Sequence, residues 1–207
     1  MRVESDAQKA ARLTRGLARQ NMLHKLIAMA LSVFCLTACA GTAQKPPLVL
    51  EPNRHSYTFG VPDGWVFSFE QANSIGVRLV LFPKGENFHE SNSIIYVNEI
   101  SGNLSAAVDK TISNAKYDSP NIKIETLPSI PIKAGGRAAV RMITGYRDPR
   151  QAKEALAFIE HTDTVLLVVL TTKNATNWQY DYNALESVIS GHKYFDCNSP
   201  NLAVPCR

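Results

Sequence analysis

The sequence predicts an α+β domain over residues 55–195, an antiparallel β-sheet covered on one face by two helices. Three observations carry this. Short apolar-rich runs with β-branched residues recur between Pro/Gly/Asn/Asp turns. Two segments, 103–117 and 177–190, instead carry apolar stripes at helical spacing. Those two segments are far apart in the chain, so strands and helices do not alternate as they would in a parallel sheet.

The elements follow in order. Tyr57 to Val61 reads as a strand, and Pro62-Asp63-Gly64 as the turn that returns it. A second strand starts at Trp65 and is expected to run to Gln71. GVRLVLF, residues 76–82, is a third, stopped by Pro83-Lys84-Gly85. In SIIYVNEI, residues 93–100, Ile95 and Val97 share one face while Ile94, Tyr96 and Ile100 share the other. Apolar residues on both faces point to a sheet covered on two sides or at an interface. In the first helix, Leu104, Val108, Thr111, Ile112 and Ala115 line one stripe, with Asn103 as N-cap. NIKIETL, residues 121–127, alternates as a strand with one wet face. Ala134-Gly135-Gly136 is the turn of a hairpin whose return arm runs from Arg137 to Tyr146. A second hairpin has arms 154–160 and 164–171 around His161-Thr162-Asp163. Its VLLVVL run is apolar without interruption, as in a central strand buried on both faces. The last helix turns Trp178, Tyr182, Leu185, Val188 and Ile189 inward and ends at Gly191.

Charge separates the chain into two parts. The formal net charge is +4, and residues 1–38 hold six basic residues against two acidic ones. From Cys39 onward sixteen Lys/Arg face sixteen Asp/Glu. The folded part is therefore neutral, and nucleic acid is not expected as its partner. After Lys25 come thirteen uncharged residues, LIAMALSVFCLTA. As a helix they rise only about 20 Å, against about 30 Å of bilayer hydrocarbon. A basic start, a short apolar core and small residues at its end describe a secretory signal. Met22 opens the compact version MLHK; either Met22 is the initiator or residues 1–21 are a dispensable extension.

Leu36-Thr37-Ala38-Cys39 resembles a bacterial lipobox. The resemblance implies that Cys39 takes a diacylglyceryl group, that the signal 1–38 is removed, and that the new amine is acylated. Two or more acyl chains anchor a protein stably where one does not. Residue 40 is alanine rather than aspartate, which in enterobacteria favours the outer membrane. The expected location is thus the cell envelope, lipid-anchored and facing the periplasm. Residues 39–54, with Pro46-Pro47, read as a lipidated tether.

Of the four cysteines, Cys35 leaves with the signal and Cys39 becomes a thioether. Cys197 and Cys206 remain, with eight residues between them, in the tail 196–207. In an oxidising compartment they are expected to form a disulfide, contributing about 2–3 kcal/mol through the short loop they close.

The order of elements also has a family likeness. It opens on Y-x-F-x-V-P-x-G-W, here Tyr57, Phe59, Val61, Pro62, Gly64 and Trp65. A small-residue hairpin turn leads into R-A-A-V, Arg137 to Val140. This resembles the PsbP-like fold of the extrinsic photosystem subunit and of DcrB-type bacterial lipoproteins, over about residues 55–195. The resemblance implies a non-enzymatic extracytoplasmic accessory domain acting through protein contacts. It brings no set of functional residues.

Chemistry-bearing motifs are few. The five histidines, His24, His55, His89, His161 and His192, make no HxH or HxxxH pair. No metal, cofactor or catalytic residue is expected. His161 and Asp163 are expected at a solvated hairpin tip, and Asp148, Arg150, Lys153 and Glu154 in a charged connection. Arg78 and Arg141 fall in strands and need water or a carboxylate. The leading expectation is an accessory protein that binds another envelope protein. The alternative is a small-ligand carrier with an aromatic cleft built from Trp65, Trp178, Tyr180 and Tyr182. A hydrolase would need His161 or His89 within reach of a Ser or Asp.

Overall fold

The computed structural model describes residues 48–51, 55–147 and 153–196. The expectations for Cys39, Cys197 and Cys206, and for the signal, lie outside these residues.

Among the described residues ten strands form two sheets. The smaller has three: β1 (Leu48–Glu51) and β10 (Lys193–Asp196) flank β2 (His55–Thr58), both antiparallel to it. The larger has seven. They are β3 (Trp65–Ser68), β4 (Leu79–Pro83), β5 (Ser93–Ser101), β6 (Lys123–Pro131), β7 (Arg137–Thr144), β8 (Lys153–Glu160) and β9 (Thr164–Thr172). Their spatial order is β3-β4-β5-β9-β8-β7-β6, and every neighbouring pair is antiparallel. Three α-helices are present among the described residues: α1 (Phe69–Ser74), α2 (Leu104–Asp118) and α3 (Trp178–Ser190). None of them is long and apolar enough to cross a membrane.

The α+β class and the antiparallel sheet are as expected, but the two long helices divide between the faces. β8 and β9 hold the reason. Ala155, Ala157 and Ile159, with Leu166, Val168 and Leu170, pack with Leu185, Val188 and Ile189 of α3. The alternate residues Leu156, Phe158, Val165, Leu167 and Val169 pack with Ala107 of α2. Side chains alternate along a strand, so a run apolar at every position needs a cover on each side. The small sheet joins the α3 side, where Tyr57 and Phe59 are fully buried with Trp65. On the other side α1 covers β4 through Ala72, Val80 and Phe88.

Several segments depart from the sequence reading; the strand expected over 57–61 is His55–Thr58, and the one expected from residue 76 starts at Leu79. Residues 69–71, expected as strand, begin α1. The Ser68 side chain accepts the Gln71 N–H at 3.1 Å and so caps a run of helix formers. Leu48–Glu51, expected within the tether, is a strand paired with β2. Lys193–Asp196 follows α3 as the third strand of that sheet. Other signals read directly. Asn103 caps α2 by accepting the Ala106 N–H at 3.0 Å, and Gly191 ends α3. β6 runs on to Pro131 past a bulge between Leu127 and Ile130. It tolerates Pro128 because it is an edge strand.

Candidate functional site

The site forms where the end of α3 meets the turns of the two hairpins. Gly60 and Gly191 make this possible. A Cβ on Gly60 would stand 2.5 Å from the Ser187 carbonyl oxygen, and one on Gly191 would stand 2.8 Å from the Gly60 backbone. Two bare backbones therefore touch, and the Gly60 N–H donates to Val188 O at 3.2 Å. The next residue, His192, is thereby driven inward and is 2 % exposed. Its ring lies on Phe59, with centroids 4.9 Å apart.

The proton positions follow from the partners. His192 Nδ1 stands 3.1 Å from Thr58 O, and a carbonyl only accepts, so Nδ1 carries the hydrogen. In the neutral ring Nε2 then offers a lone pair. It faces His161 Nε2 at 3.1 Å, so His161 is the donor. His161 directly follows β8, its N–H closing the hairpin turn onto Thr164 O at 2.9 Å. Its ring stacks on Tyr194 of β10 at 3.9 Å, with 13° between the planes. Burial pushes the His192 pKa down to about 4. His161 adds to this, and the Thr58 carbonyl opposes it.

Both rings border a cleft of about 410 Å³, which Ile132, Gly135, Arg137, Glu160 and Tyr194 also line. Arg137 is tied back to Ser129, with Nε donating to Oγ at 2.6 Å and Nη2 to the carbonyl at 2.8 Å. The expectation of exposed, scattered histidines thus fails for this pair. His192 is core and His161 is half-buried. No sequence spacing joins residues 31 apart; β-pairing and the glycine contact do. The available signal was that His192 follows a helix-ending glycine and His161 follows an apolar strand. His89 stays exposed beside Phe88.

Two other polar clusters lie within the sheet. Glu154, expected in a solvated connection, is a buried residue of β8. It accepts from the Tyr146 hydroxyl and, at 2.8 Å, from Thr171 Oγ1. Burial raises its pKa, which the two hydroxyl donors partly offset. On the α3 side, buried Asp181 accepts from Ser93 Oγ at 2.5 Å, and Ser93 Oγ lies 3.1 Å from Thr172 Oγ1. This cluster fastens the first turns of α3 to β5 and β9.

The four aromatic residues expected to line a ligand cleft do not share one. Trp65 is core, Trp178 and Tyr182 pack against that core, and Tyr180 is exposed. None borders the cleft above or a second one of about 510 Å³ between β5 and α2. Lys153 Nζ sits 4.0 Å above the Trp178 ring. Arg78 precedes β4 and is exposed. Arg141 donates from Nη1 to Val140 O at 2.9 Å.

No family model matches the chain, and no curated protein matches it. Solved structures do. The solution structure of cyanobacterial PsbP (CyanoP) from Synechocystis sp. PCC 6803 is 12 % identical. The match covers 77 % of this chain and 99 % of that one, with a TM-score of 0.47. LpqN, involved in cell envelope biogenesis of Mycobacterium tuberculosis, is 12 % identical, over 73 % of this chain and 91 % of its own, at 0.45. These likenesses concern fold and bear on neither activity nor partner.

Proposed function

We propose that the chain is a lipid-anchored accessory protein of the bacterial envelope. It faces the periplasm from the outer membrane and works by binding another envelope protein. The reading begins with Leu36-Thr37-Ala38-Cys39. The observation that supports it is the spacing in sequence: β1, the first described strand, opens at Leu48, nine residues beyond Cys39. Nine residues span at most about 30 Å. A domain so held meets partners that lie at or in the same membrane.

The β3 edge supplies a contact face. Among the described residues β3 has a strand neighbour on one side only. Beside it Phe69 at the start of α1 and Ile75 just after its end are exposed, at 38 % and 48 %. The opposite edge, β6, carries Lys123, Glu125, Pro128 and Pro131, residue types that discourage further pairing. The test is a photocrosslinking residue placed at Phe69, at Ile75 and, for comparison, at exposed Tyr117 of α2. A reproducible envelope protein captured from Phe69 and Ile75 but not from Tyr117 is the expected result. Capture that is equal at all three, or absent, contradicts this reading.

A further inference from the structure

We propose that His161 and His192 form the protein-side half of a binding site for a borderline divalent metal ion, zinc in particular, at the wall of the 410 Å³ cleft. The inference is independent of the anchor and of the β3 contact face.

The geometry is that of a chelating pair. Both nitrogens that meet are Nε2, and they stand 3.1 Å apart. Imidazole nitrogens bind zinc at about 2.0–2.1 Å, so one ion held by both would subtend about 100°. That is near the tetrahedral angle zinc adopts. Opening to it takes tenths of an ångström in separation and a turn of each ring by about 40°, because the hydrogen bond aims the His192 lone pair along the N···N line.

The surroundings match what a ligating imidazole requires. His192 donates Nδ1–H to the Thr58 carbonyl, which fixes the ring and leaves Nε2 as the ligating atom. Metal-bound histidines are held by such a bond from the other nitrogen. Tyr194 stacks on His161, and Phe59 lies against His192, so both rings are held by packing. The cleft leaves room for the ion's remaining ligands. Among the described residues no cluster of three His, Cys, Asp or Glu is assembled. The histidine pair therefore supplies two ligands, and water or an external ligand takes the open positions, as in zinc sites that bind substrates.

The exchange balances. His161 moves its proton from Nε2 to Nδ1 by exchange through solvent, so that both rings bind as neutral imidazoles. The hydrogen bond between the rings is replaced by two nitrogen–metal bonds. His192 Nδ1–H is untouched.

The test is zinc sulfate titrated calorimetrically into the full-length chain in detergent micelles. Imidazole ¹⁵N spectra are recorded on the same samples. One ion per chain is expected, with the Nε2 resonances of two histidines moving to the metal-bound range. His161→Gln is expected to weaken binding at least tenfold, while His89→Gln leaves it unchanged. The spectra of the parent chain need no variant and so do not depend on folding. Absence of binding, an unmoved Nε2 pair, or parental affinity in His161→Gln overturns the proposal.

Discussion

His192 is where acid should be felt first. Its ordinary pKa is about 6.5, and burial takes it down to about 4 in the folded chain. Between those values the unfolded chain binds a proton that the folded chain refuses. Stability from this group is therefore intact above pH 6.5 and falls as pH drops toward 4, by about 3 kcal/mol at most. Glu154 and Asp181 have raised pKa values and act in the opposite sense, their contributions fading as pH rises. Comparing the parent with His192→Asn removes those common terms. Chemical denaturation with a chelator present should show a flatter loss between pH 6.5 and 4 in the variant. A second residue-level expectation concerns Tyr146. Tyr146→Phe takes one of the two hydroxyl donors from buried Glu154, and should cost about 1–3 kcal/mol. Because that donor lowers the Glu154 pKa, the variant's carboxyl should titrate higher still in ¹³C spectra. Neither role was legible in the sequence. Glu154 stands in RDPRQAKE, a run that reads as solvated, and only its register opposite Thr171 in β9 buries it.

At the scale of elements, local chemistry was legible and long-range placement was not. The Asn103 cap, the Ala134-Gly135-Gly136 turn and the VLLVVL strand each rest on neighbours in sequence, and each occurs. The face on which a helix lies depends instead on strands distant in sequence. SIIYVNEI carried the decisive signal, because apolar residues on both its faces require two covers, and α2 and α3 provide them from opposite sides. α1 was missed because VFSFEQ alternates like a strand, while the Ser68 cap outweighs that alternation in a segment at the sheet edge. The contact between β2 and α3 gives a prediction at this scale. Gly60→Ala puts a methyl 2.5 Å from the Ser187 carbonyl, and backbone cannot step aside as a side-chain tip can. A loss of about 1–3 kcal/mol is expected in thermal or chemical unfolding. Gly64→Ala, whose nearest neighbour is the Tyr180 hydroxyl at 3.4 Å, separates crowding from backbone strain at its φ of 76°.

For the whole molecule, the folded part is a two-faced antiparallel sheet extended by a small second sheet. Its first described strand stands nine residues beyond a cysteine in a lipobox-like setting. With Cys39 lipidated as proposed, that spacing would hold the domain near a membrane surface, where the β3 edge and the histidine cleft would meet their ligands. The most direct test follows the fate of Cys39. Palmitate labelling and membrane fractionation are compared for the parent and for Cys39→Ser. The parent should take up label, lose residues 1–38 and sediment with outer membranes. The serine form should remain unlabelled and uncleaved. A Cys39→Ser chain that is processed and fractionates like its parent would contradict the account.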